Sequence, residues 1–122
     1  MHGDGIMHYA GGDVYEGEWE HNEAHGIGKY TFAEKDVYQG EFRNGKSCGH
    51  TEIAFANGDS YVGNMLADER DGAGVFTEAL SGSVWEGPWA KDERHGKFKM
   101  IPGDGGETRR EMWRGGKLKS SR

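Results

Sequence analysis

The sequence predicts an all-β fold, an elongated single-layer twisted antiparallel sheet of stacked β-hairpins. Three observations carry that prediction. Tyr15, Tyr38 and Tyr61 are spaced by 23 residues, and Trp85 and Arg109 follow at intervals of 24. Four residues after each stands Trp19, Phe42, Met65, Trp89 or Trp113; Gly17, Gly40, Gly63 and Gly87 lie between, and Glu111 breaks the glycine run. No stretch holds helical apolar spacing over three turns, so little or no helix is expected. A fixed period of this length marks an array of one small supersecondary unit.

The unit is clearest between Asp13 and Phe32. In Val14-Tyr15-Glu16-Gly17-Glu18-Trp19 the two rings and the glycine share one face of an extended strand, while Glu16, Glu18 and Glu20 point the other way. After a polar break, His25-Gly26-Ile27-Gly28-Lys29-Tyr30-Thr31-Phe32 puts Gly26, Gly28, Tyr30 and Phe32 on one parity. Two such strands joined by a turn make a hairpin. Ahead of it, His2-Gly3-Asp4-Gly5 matches His25-Gly26-Ile27-Gly28, with Met7 and Tyr9 in the places of Tyr30 and Phe32. The array therefore opens with a half-repeat over residues 1–12. Full repeats follow at about 13–34, 36–57, 59–80 and 83–102, then a degraded half-repeat at 107–114 and a loose basic tail at 115–122.

Turn chemistry fits these boundaries. Asn44-Gly45 lies inside the second hairpin and Asn57-Gly58 between the second and third, both pairs that accept positive φ. Gly11-Gly12, Gly82 and Gly105-Gly106 mark the other junctions. Departures from the pattern predict local differences. Thr51 and Phe98 stand where Gly28 and Gly74 stand, so the surface there must pack differently. Pro88 removes a ladder donor, which calls for a bulge or a non-hydrogen-bonded position.

Composition narrows the function. Among 122 residues 34% are hydrophobic and 22 are glycine, which is lean for a globule with a central core. Arg109, Arg110, Arg114, Lys117, Lys119 and Arg122 face Glu111 alone, so the stretch from 109 carries +5 and the remainder −11 of the net −6. An acidic body argues against nucleic acid as a partner and against anionic lipid along its length. The basic tail is the one region suited to lipid or an acidic partner. Cys48 is the single cysteine, no apolar run nears the ~20 residues of a membrane span, and no signal-peptide pattern opens the chain. A soluble cytoplasmic setting is expected.

Sites of chemistry are not expected. His2, His25 and His95 occupy one repeat position, but equivalent atoms in adjacent repeats lie roughly 10 Å apart, too far for one metal ion. They read as turn-stabilising residues. Glu16 and Glu18 read as a solvated face, since a catalytic carboxylate pair needs a cleft. Gly26-Ile27-Gly28-Lys29-Tyr30 lacks the upstream glycine and the Ser/Thr of a phosphate loop. Neither enzymatic activity, cofactor nor metal is predicted. The remaining candidate is the aromatic stripe of Tyr15, Trp19, Tyr38, Phe42, Tyr61, Met65, Trp85 and Trp89. These side chains form the core, and with no second layer to cover them they are also expected to receive a partner peptide or helix.

Tyr-x-Gly-Glu-Trp followed by His-Gly-x-Gly resembles the MORN (membrane occupation and recognition nexus) repeat. The residues are Tyr15-Glu16-Gly17-Glu18-Trp19 with His25-Gly26-Ile27-Gly28, then Tyr38-Gln39-Gly40-Glu41-Phe42, Tyr61-Val62-Gly63, and Trp85-Glu86-Gly87-Pro88-Trp89 with His95-Gly96. The resemblance covers about residues 2–114. It implies a non-enzymatic scaffold in a cytoskeletal, ciliary or flagellar assembly, and some similar proteins pair through repeat ends. The alternative is a membrane-associated adaptor that meets anionic phospholipid through Arg109, Arg110, Arg114, Lys117 and Lys119 and exposed aromatics. End-to-end self-association is expected at Gly3 to Tyr9, whereas Arg109, Arg110 and Glu111 blunt the far edge.

Overall fold

The computed structural model describes residues 2–121; Met1 and Arg122, the first and last residues of the expected array and tail, lie outside them. Twelve strands form one open antiparallel sheet in chain order: β1 Gly3–His8, β2 Val14–Glu20, β3 Glu23–Thr31, β4 Val37–Arg43, β5 Lys46–Ala54, β6 Ser60–Leu66, β7 Glu69–Thr77, β8 Val84–Ala90, β9 Glu93–Arg94, β10 Gly96–Ile101, β11 Arg109–Arg114 and β12 Lys117–Ser121. β9 and β10 both pair with β8, interrupted at His95, and together they play the part of one second strand. The single-layer, all-β architecture is the one expected, with no helix among the described residues.

Two differences stand out at the C-terminal end. Within the expected loose tail, residues 115–121 are ordered into the sheet, because Lys117–Ser121 pairs with β11 as a twelfth strand. The reason lies in the connection: Gly115 (φ 56) and Gly116 (φ 79) form the same two-residue turn as the other hairpins. Arg109, Arg110 and Glu111 therefore do not blunt a free edge; they sit on an interior strand, and Glu111 is buried.

Each full hairpin carries one bulge in the same place. Gly17 faces Gly28 and Trp19 faces Ala24, so His25, Gly26 and Ile27 oppose Glu18 alone. The carboxylate fills the gap: Glu18 Oε1 accepts from Ile27 N at 2.6 Å, and Glu41 Oε2 accepts from His50 N at 2.8 Å. Gly26 (φ 97) and Gly49 (φ 84) adopt the left-handed backbone the bulge needs, and a Cβ there would strike that same carboxylate. Glu18 is thus a bulge cap as well as a surface charge, a role the solvated-face reading left out. Pro88 occupies the equivalent column in the fourth hairpin, where the ladder is already interrupted and the missing donor costs nothing.

Carboxylates also tie hairpin to hairpin along both long edges. Asp13, Asp36 and Asp59 each accept from the backbone N–H of Ala33, Ala56 and Ala79 in the next inter-hairpin turn, at 2.7–2.8 Å, and Ser83 Oγ accepts from Gly103 N at 3.1 Å. On the opposite edge Asp68 N donates to Ser47 O, while Asp68 Oδ1 accepts from Ser47 N. Asp92 N likewise donates to Arg70 O.

Candidate functional site

The rings of the first strands build the core, and they bury one another more completely than a single sheet suggests. Tyr15 and Tyr61 are 0% exposed, and Trp19, Phe42, Met65 and Trp89 are buried; of the eight stripe residues only Tyr38 and Trp85 stay half-buried. The expectation of an uncovered ladder therefore fails for six of the eight. Rings on β2 and β4, strands roughly 10 Å apart, approach edge to face at 5.1 Å between Tyr15 and Phe42. Tyr61 and Trp89 do the same at 5.5 Å. Such edge-to-face contacts between rings two strands apart close the surface from above.

The tightest seats are Tyr15 and Tyr61. Each ring lies across a glycine pair, Gly17 with Gly28 and Gly63 with Gly74, and a Cβ on Gly28 or Gly74 would collide with the hydroxyl end of the ring. The phenol then donates to a backbone carbonyl of its own strand, Tyr15 to Glu18 O at 3.0 Å and Tyr61 to Asn64 O at 2.9 Å. Loss of water pushes both phenols up to about 12, with Glu18 adding to the rise at Tyr15; at Tyr61 Arg70 opposes it. Tyr30 is also held well above the ordinary phenol range, by burial first and then by its 2.7 Å hydrogen bond to Asp13 Oδ2.

A second row of rings, drawn mainly from the second strands, keeps partial exposure. Tyr9 stacks on Tyr30, Tyr30 meets Phe32, and Phe32 meets Tyr38 at 5.0 Å. Phe55, Phe76 and Trp85 continue the row. Sequence reasoning put Tyr30 on the parity of the glycines but assigned a role neither to it nor to Phe76. Their signal was the column itself, since strand partners of buried rings sit nearer the edge of the cluster.

Two arginines, also missed, cover the C-terminal half of this face. They occupy the position of Ala24 and Ser47, opposite the last large apolar residue of the first strand, Met65 for Arg70 and Trp89 for Arg94. Arg70 Cζ lies 4.3 Å from the Trp89 ring centre, and its Nε and Nη2 donate to Asp92 Oδ1 (2.6 Å) and Asp92 O (2.9 Å). Arg94 Cζ lies 4.4 Å from Trp85 and 4.6 Å from Trp113. Both indoles donate to one oxygen of Glu111, each at 3.0 Å, which explains why a carboxylate is tolerated where glycine stands elsewhere. Burial lowers the Arg94 pKa, as does neighbouring Arg70, while Glu111 and Glu78 oppose the fall.

The basic residues 109–119 take fixed places. Lys99 faces Arg110, Lys97 faces Met112 and Arg114 faces Lys117, so these cations share the face opposite the buried Phe98 and Glu111. None of the ion pairs among the described residues includes them. Arg109 lies on the other face, opposite Met100, and Lys119 falls in the register shift of β12.

The histidines are not brought together. His95 Nδ1 accepts from Gly115 N at 3.1 Å, a turn contact of the expected kind, and His25 Nε2 lies 3.5 Å from Glu20 Oε2. Among the described residues no group of three His, Cys, Asp or Glu side chains could hold a metal ion. Among these residues no helix is long and apolar enough to cross a membrane.

No curated protein matches the chain. The MORN repeat family model matches three consecutive segments, residues 15–37, 38–60 and 61–77, just over half of the chain. Each segment begins on one of the tyrosines that define the period, and the geometry of β2 to β7 repeats in step with them. MORN repeats are non-catalytic modules of protein and membrane interaction. The chain belongs to the MORN repeat family.

Proposed function

We propose that this protein is a non-enzymatic scaffold that binds a partner peptide or helix along the half-exposed ring row of its aromatic face. The observation that carries the reading is that row, two runs of contacting rings on one face, Tyr9-Tyr30-Phe32-Tyr38 and Phe55-Phe76-Trp85, all still partly open to solvent. Buried members of the stripe, such as Tyr15 and Trp19, support it from beneath, while Tyr38 and Trp85 touch the partner. A cytoplasmic, cytoskeleton-associated assembly, ciliary or flagellar, is the proposed setting. The test begins with affinity capture from the native organism. Phe32→Ser and Phe55→Ser, on a sheet that keeps its melting temperature, should weaken capture of the partner about tenfold or more; undiminished affinity would sink the idea. Pairing of copies through β1 belongs to the same proposal, and a monomer by light scattering at high concentration counts against it.

A second reading, contact with anionic phospholipid, rests on the cations of the opposite face. Lys99 opposite Arg110 and Arg114 opposite Lys117 are like-charged cross-strand pairs, which weaken a sheet. An anionic surface would relieve that repulsion. Deleting residues 109–122 would remove two strands, so charge reversal is the cleaner test. Lys99→Glu with Arg110→Glu should abolish co-sedimentation with phosphatidylserine vesicles at low salt; binding that survives both the reversal and high salt would exclude this mode.

A further inference from the structure

We infer that Arg94 is a carboxylate-binding site, built to take an acidic side chain from the partner segment; the inference rests on the proposed use of the aromatic face. Its basis is a comparison between equivalent positions. In the third hairpin Arg70 is held by Asp92, the second residue of the next tight turn. In the second hairpin Ser47 is held in the same way by Asp68, through both its N–H and its Oγ. In the fourth, the equivalent turn residue is Gly116: its N–H still donates to Arg94 O at 3.0 Å, but it has no carboxylate to offer the guanidinium. Arg94 consequently makes no side-chain hydrogen bond and no ion pair among the described residues.

The surroundings fit a guest carboxylate. Trp85 and Trp113 flank the guanidinium, and a planar cation fixed against rings presents its N–H edge as a preformed fork for two oxygens. Arg94 opens onto a depression of about 400 Å³ walled by Phe55, Phe76, Trp89 and Trp113, the end of the half-exposed ring row. Of the carboxylates there, Asp92 is engaged by Arg70, and Asp59 by Ala79 N and Asn57 Nδ2. Glu93 approaches Gly116 without bonding Arg94. Trp89 adds a second sign: its Nε1 is the one buried side-chain polar atom without a partner among the described residues, whereas Trp19 Nε1 in the first hairpin donates to Gly5 O at 3.1 Å.

The test uses a blocked peptide of alternating leucine and glutamate and its glutamine twin, read by the Arg94 Nε–H resonance and by tryptophan fluorescence. The glutamate peptide is expected to shift the Arg94 resonance and to bind about tenfold more tightly than its twin. That preference should vanish in Arg94→Gln. It should also vanish in Gly116→Asp, which restores the arrangement of Arg70 with Asp92 at the same left-handed turn position, the flexible Glu93 carboxylate swinging aside, and so occupies Arg94 from within. Equal binding of the two peptides would overturn the Arg94 site and leave the aromatic face standing as a docking surface. Binding of neither would overturn both. A preference that persists in Gly116→Asp, with the introduced carboxylate shown by its resonances to pair with Arg94, would also defeat the inference.

Discussion

Hairpins one and three differ from hairpins two and four, although all four share a period. In the first and third, Gly17 pairs with Gly28 and Gly63 with Gly74, and the tyrosine ring lies flat on the bare backbone, fully buried. In the second, Thr51 faces Gly40; in the fourth, Phe98 covers Gly87. Tyr38 and Trp85 are displaced outward and stay half-buried. One Cβ on the second strand thus separates a fully buried leading ring from a half-exposed one. The alternation produces an array in which every other hairpin leaves the leading ring of its first strand half-exposed.

The largest test of that contrast is deletion of the ring. Tyr61→Ala should cost about 3–5 kcal/mol in urea unfolding, and Tyr38→Ala about half as much, because half its area is already exposed; equal costs would break the comparison. Next comes the bed. Gly74→Ala drives a Cβ into the Tyr61 phenol, so a loss of about 1–3 kcal/mol is expected in the same unfolding measurement. The third test is alkaline. Folding raises the Tyr15 and Tyr61 phenols to about 12, so their contribution is complete below the unfolded value near 10 and is lost as pH climbs from there toward 12. The double change Tyr15→Phe, Tyr61→Phe should flatten this decline in thermal melts, leaving the slope due to Tyr30 and Tyr38. The smallest effect separates turns from rings. Lys35 holds φ 84 where Gly12 and Gly58 stand in sister junctions, so Lys35→Gly should stabilise by up to about 1 kcal/mol without altering ring exposure.

The repeat was legible because its columns are chemically distinctive. Tyr15, Tyr38 and Tyr61, with their glycines, announce strands whatever the neighbours do. β12 was not legible, since Lys117-Leu118-Lys119-Ser120-Ser121 has neither ring nor glycine and owes its strand to β11 and a two-glycine turn. The burial of Tyr15 was beyond the one-dimensional pattern, because its cover is Phe42, 27 residues onward and two strands away. Glu111 looked like decay of the glycine column. Its partners are the indoles of Trp85 and Trp113, and only the folded sheet brings the first of these to it. Arg70 and Arg94 were overlooked because they occupy a column that is alanine and serine in the first two hairpins.

The carboxylate ties between neighbouring turns have a mechanical consequence. Asp13, Asp36 and Asp59 each reach only the next turn, and ladder bonds in an antiparallel sheet run perpendicular to the strands, along the length of the array. Tension applied at the two ends therefore loads these bonds one after another rather than all together. Stretched in an optical trap, the protein should yield at low force and in successive steps, each releasing the 23 or 24 residues of one hairpin. As a strut it would be weak, but as an extensible link it could lengthen under load and re-form when the load is removed.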